Sequence, residues 1–110
     1  MGIFEITLTK YGEYQFQLIA DNGQVILNSE CYITKENCLN SIASIRRNAK
    51  DDTKIKCRAI SGKLYFELTG TNGQIIGSGL KYESLASLIN AIEFVRSFSE
   101  TALINDRTLS

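Results

Sequence analysis

The sequence predicts an α+β two-layer sandwich, with one sheet of about six to seven strands and two helices on one of its faces. Three observations predict it. Apolar and polar residues alternate in short runs, two later stretches switch to a helical period, and the whole pattern occurs twice. Asn22-Gly23-Gln24-Val25-Ile26 returns fifty positions later as Asn72-Gly73-Gln74-Ile75-Ile76, and from Gly62 to Ser99 every residue aligns at that offset. One unit alone would leave much of its apolar face wet, whereas two units sharing a sheet bury it. The chain therefore reads as a single domain over residues 1–110, made of two repeats at about 1–52 and 53–110. At 110 residues it is long enough to bury a real core.

Phe4-Glu5-Ile6-Thr7-Leu8-Thr9 alternates strictly, which puts Phe4, Ile6 and Leu8 on one face of a first strand. After the turn at residues 10–13, Tyr14, Phe16, Leu18 and Ala20 point inward from a second. Asn22-Gly23 then signals a two-residue type I′ hairpin, with positive φ at both central residues, and a third strand returns over about 24–29. Thr34 suits a helix N-cap. Behind it Cys38, Ile42, Ile45 and Ala49 form an apolar stripe with Leu39 beside it, and Ile33 is placed to staple onto Cys38. Arg46, Arg47 and Lys50 complement the negative end of the helix dipole, and Asp51-Asp52 breaks the helix.

In the second copy the first strand fits with one turn residue deleted, so Ile55, Cys57 and Ala59 stand where Phe4, Ile6 and Leu8 stood. Phe66 and Leu68 answer Phe16 and Leu18, and Ser84 answers the cap Thr34. Leu85, Leu88, Ile92 and Val95 make the second helix's stripe. A last short strand falls within 101–107.

The hairpin run Asn22-Gly23-Gln24-Val25-Ile26-Leu27-Asn28-Ser29-Glu30, with Tyr32 and the helix run Asn40-Ser41-Ile42-Ala43-Ser44-Ile45-Arg46-Arg47-Asn48-Ala49, resembles the YegP-like family of small tandem-repeat proteins. The resemblance covers nearly the whole chain in both copies. It implies two tandem β(3)-α-β motifs in one antiparallel sheet, both helices on one face, and the C-terminal strand of each motif exchanged onto the other. Residues 54–60 and 101–107 would be those bridging strands. The family brings no established activity, cofactor or catalytic residue.

Composition narrows the chemistry. Lys plus Arg and Asp plus Glu both number 12, so no electrostatic footprint marks nucleic acid or an anionic membrane as the main partner. No secretory leader or membrane-length apolar run is legible, which suggests a soluble, cytoplasmic protein. Histidine is absent, removing the commonest general base and transition-metal ligand. Cys31, Cys38 and Cys57 lack the spacing of a disulfide framework or a zinc site. Cys38 and Cys57 align with apolar core positions and read as buried; Cys31, just before a helix, is the thiol most open to a reactive role. Gly70-Thr71-Asn72-Gly73 has the outline of the GxxG clamp used by KH domains and Gly77-Ser78-Gly79 starts like a dinucleotide fingerprint, but their placement makes them turn and strand glycines.

The surface most open to recognition is the sheet face away from the helices, where alternation places Lys54, Lys56, Arg58, Tyr65 and Glu67. Glu67 can pair across the basic row, so cross-strand ion pairing is its simplest account. The leading expectation is a non-enzymatic module that binds another protein or assembles with itself, with no cofactor, metal or catalytic residue. Weak nucleic-acid binding through Lys54, Lys56, Arg58 and Tyr65 comes second, and an enzyme using Cys31 or Asp51-Asp52 third.

Overall fold

A computed structural model describes residues 2–109. The strands are β1 (Gly2–Leu8), β2 (Tyr14–Ala20), β3 (Val25–Ser29), β4 (Ile55–Ile60), β5 (Lys63–Thr69), β6 (Ile75–Gly79) and β7 (Leu103–Asp106). The helices are α1 (Lys35–Asn48) and α2 (Leu85–Phe98). All seven strands form one sheet in the order β4-β5-β6-β3-β2-β1-β7. Each repeat supplies a three-stranded meander, and the two join at β3 and β6, which pair antiparallel through Leu27 and Gly79.

The duplication is visible in the register. Phe4 faces Leu18 and Ile6 faces Phe16, while Ile55 faces Leu68 and Cys57 faces Phe66. The sequence alignment with one deleted residue is thereby borne out, and the deletion has a local cause. In the first copy a three-residue loop closes between Thr9 and Glu13, with Gly12 at φ 80°. In the second, Ser61 (φ 51°) and Gly62 (φ 78°) make a two-residue type I′ turn between Ile60 and Lys63. The type I′ turn expected at Asn22-Gly23 is absent there. Ala20 N–H bonds to Gln24 across a three-residue loop in which only Gly23 has positive φ, and Asn22 Oδ1 accepts from the Gln24 N–H at 2.9 Å. The asparagine side chain supplies the turn contact from an ordinary backbone conformation, so a second left-handed residue is not needed.

One core joins both halves. Phe4, Ile6, Phe16, Leu18 and Leu27 are buried together with Phe66, Leu68 and the helix residues Cys38, Ile42, Ile45, Leu88, Ile92 and Val95. Phe66 reaches the seam between the repeats. A β-carbon on Gly79 would lie 2.3 Å from its ring, so that position must be glycine. Thr34 and Ser84 cap the helices as expected, accepting from the Asn37 and Ser87 N–H groups at 3.1 Å.

The apolar stripes are narrower than the sequence suggests. Leu85 and Leu39 face solvent, and Ile33, 82% exposed, does not staple onto Cys38. Each helix lies on the shared sheet, and that contact needs only the residues at its centre.

The C-terminal strand β7 is exchanged onto the first repeat, as the family resemblance implies, and it runs parallel to β1 rather than antiparallel. Arg46 donates to the Ala102 carbonyl at 2.5 Å, and Lys35 bonds Asp106 at 2.8 Å, so α1 holds both ends of the exchanged segment. Residues 54–60 do not make the matching exchange. Among the described residues β4 pairs only with β5, within its own half, because this stretch already serves as the second repeat's first strand. Arg96 nevertheless repeats the clamp of Arg46: it bonds Asp52, at the position equivalent to Ala102.

Candidate functional site

The two margins of the sheet differ in what covers them. On the β1 side, Glu5 meets Asn105 at 3.5 Å and Arg107 at 3.7 Å, and the Arg107 N–H bonds to the Ile6 carbonyl. Lys35 and Thr108, hydrogen-bonding to Asp106, hold its carboxyl well below the ordinary range, down to about 2. On the β4 side no further strand follows among the described residues. The row of backbone N–H and C=O groups facing away from β5 is open, and residues 56–60 are all exposed. Cys57 and Ala59, expected inward and buried by analogy with Ile6 and Leu8, are therefore exposed. Leu8, at the far end of β1, is about half exposed too.

Four of the five predicted surface residues gather on this margin. Lys56 stands opposite Glu67 and Arg58 opposite Tyr65. Arg58 Nε bonds Glu67 Oε1 at 2.9 Å, which is the expected cross-strand ion pair and holds the guanidinium beside Glu67. Lys54 lies outside the strand, in a one-turn 3-10 segment (Asp52–Lys54), where its carbonyl accepts from Thr69 Oγ1 at 3.2 Å.

The candidate reactive groups are held structurally. Asp51 caps the 3-10 turn, accepting from the Thr53 N–H and hydroxyl, and these bonds pull its carboxyl below the ordinary value. Asp52 pairs with Arg96. Burial, with a smaller contribution from the Asp106 charge, pushes the Cys38 thiol up to about 11. Cys31 is exposed, with its sulfur 3.9 Å from Gln15 Oε1.

A second pair of surfaces was not legible in advance. Two clefts of about 680 Å³ each lie between the helix of one repeat and the Asn-Gly hairpin of the other. The first is lined by Asn22 and Gln24 from the β2–β3 hairpin, and by Tyr82, Asn90, Phe94 and Phe98 from around α2. Its twin has Asn72, Gln74, Tyr32 and Asn40 in the corresponding places, with Ser44 and Arg47 among the other neighbours. Burial raises the pKa of both tyrosines. The available signal was the identity of exposed polar residues with no turn or cap to explain it, Asn40 with Asn90 and Gln24 with Gln74, between two copies that differ at most other surface positions.

A single sheet built from two copies of one meander-and-helix unit, with the last strand of the second laid against the first, defines a tandem-repeat α+β protein. The chain belongs to the family described as "Domain of unknown function (DUF1508)", which matches it twice, over residues 10–55 and 59–106. A UPF0339 protein in the ptx operon 5′ region of Stutzerimonas stutzeri is 40% identical over 104 residues, covering 94% of each chain. UPF0339 protein YegP of Yersinia pestis is 34% identical, over 99% of this chain and 98% of that one. The solution NMR structure of yegP from E. coli, a protein of unknown function, superposes with a TM-score of 0.93 at 34% identity, covering 99% of this chain and 95% of that one. A UPF0339 protein from Shewanella oneidensis gives 0.91, also at 34% identity, over 96% and 90%.

Proposed function

We propose that this chain is a non-enzymatic protein-interaction module that accepts an extended segment of another chain along β4. The observation that carries this reading is the inequality of two equivalent strands: β1 bears β7 on its outer side, and β4 bears nothing among the described residues. An open edge is a template for strand addition, in which main-chain hydrogen bonds supply affinity and alternate side chains supply specificity. Charge narrows the partner. Where β1 offers Glu5 to Asn105 and Arg107, β4 offers Lys56, with Arg58 two positions on. The complementary segment carries carboxylates opposite that row. A second copy pairing edge to edge would set two such basic rows against each other, and like charges directly opposite are destabilising.

The test uses a labelled peptide copying residues 101–108 with Asn105→Glu and Arg107→Glu. It should bind at low salt about tenfold or more tightly than the unaltered copy, a difference of roughly 1.4 kcal/mol. Lys56→Glu should abolish that preference. Bound peptide should shield Cys57 from iodoacetamide and leave Cys31 reactive, as mass spectrometry of the labelled thiols would report. If neither peptide binds, or if Cys57 stays as reactive as Cys31 at saturation, strand addition at β4 is wrong.

A further inference from the structure

We infer that the cleft between α2 and the β2–β3 hairpin is a binding site for a small neutral ring compound whose edge carries hydroxyl or amide groups. This is independent of the β4 edge. The first ground is which residues the two repeats share. Phe16 with Phe66, Leu18 with Leu68, and Ile42 with Ile92 are shared because they fill the core. Gly23 and Gly73 are shared because their φ is positive, and Arg46 and Arg96 because each clamps the segment that follows the other repeat's helix. Asn40 and Asn90 have no such reason: both are exposed and their side chains make no hydrogen bond among the described residues, yet each lines the same position of its cleft. Gln24 is likewise exposed and its side chain is unbonded. Each amide offers a donor and an acceptor side by side, a pairing suited to neutral polar groups.

The second ground is Tyr82. In the twin cleft Tyr32 donates its hydroxyl proton to Ser41 Oγ at 2.7 Å. Ala91 stands where Ser41 would be, and the buried Tyr82 hydroxyl has no partner among the described residues. Buried polar groups are almost always hydrogen-bonded, so a buried phenol without a protein partner, in a residue that lines the cleft, is a group that a ligand hydroxyl or amide would satisfy. The third ground is the wall itself. Phe94 stands where the twin has Ser44, and its ring lies 4.8 Å from that of Phe98 at an interplanar angle of 48°, giving an angled aromatic wall beside the amides. Among the described residues no Lys or Arg lines this cleft to hold a phosphate, and the amides and the phenol are suited to neutral polar groups. Pyranose sugars and nucleosides share the required chemistry: a ring with an apolar face and a hydroxyl or amide edge.

The experiment is an amide-resolved NMR titration of the full chain with N-acetylglucosamine, uridine and, as an anionic ring, benzoate. At least one of the first two should give saturable shifts confined to Asn22, Gln24, Ser87, Asn90 and their neighbours, with benzoate giving none; which one responds identifies the source. Tyr82→Phe should weaken that binding about fivefold to tenfold, the equivalent of one net hydrogen bond, without lowering the melting temperature, since the hydroxyl it removes is unpaired. Asn90→Ala, at an exposed helix position, should weaken it similarly. If neither neutral compound shifts these amides at millimolar concentration, or if both variants bind like the parent, the inference fails.

Discussion

β1 and β4 began as the same strand, and the difference between them shows how a duplicated chain can come to have an acceptor edge. Both follow a helical or terminal segment into an antiparallel hairpin, in the same register against their neighbours. β1 received the last strand of the chain. The equivalent stretch after α1 was taken up in starting the second repeat, and among the described residues no strand lies against the outer side of β4. Covering one margin buries Ile6 completely, and leaving the other bare puts Cys57 in water. The same ancestral position is core on one side of the molecule and surface on the other.

That contrast can be broken most forcefully at those two positions. Ile6→Ala deletes fully buried methyl groups and should destabilise the fold by about 2–5 kcal/mol in urea unfolding. Cys57→Ala, at the matching place, should change stability by no more than about 0.5 kcal/mol. Similar losses at both would mean that β4 is covered in solution.

A smaller effect should follow from the clasp on β7. Folding lowers the Asp106 pKa to about 2, from an unfolded value of about 3.9. Its contribution is therefore complete above pH 4 and is lost as pH falls toward 2. Asp106→Asn should cost about 1–2 kcal/mol near neutrality, allowing for partial exposure of the pair, and the difference from the parent should close as pH falls through that window. A constant gap between pH 2 and 7 would show that the carboxylate charge is not what holds the strand.

The architecture was legible because the repeat encodes it twice. Period-two runs at Phe4–Ile6 and Phe16–Leu18, helical stripes at Cys38–Ile45 and Leu88–Val95, and the caps Thr34 and Ser84 each state a local preference that tertiary packing upholds. What could not be read was whatever depends on a distant partner. Whether Cys57 is buried is decided by the presence of a strand beyond β4, and nothing in Ile55–Ile60 itself records that. The basic row at Lys56 and Arg58 was legible as a pattern, and the edge it occupies became visible only with the strand order. The clefts escaped notice because each is assembled from opposite repeats: Asn22 and Asn90 are far apart in the chain and meet only when the hairpin of one half lies beside the helix of the other. Tyr82 differs from Tyr32 through the loss of a single hydroxyl, Ser41 to Ala91, whose meaning depends on that contact.

The most direct measurement is residue-resolved amide hydrogen exchange of the free chain, comparing the outer sides of β1 and β4. The account predicts that β1 amides directed toward β7 exchange slowly, through global unfolding, while the alternate amides of β4 that point away from β5 exchange near the unprotected rate. Slow exchange at every amide of Ile55–Ile60 in a dilute monomeric sample would contradict it, because the edge on which the proposed function rests would already be taken.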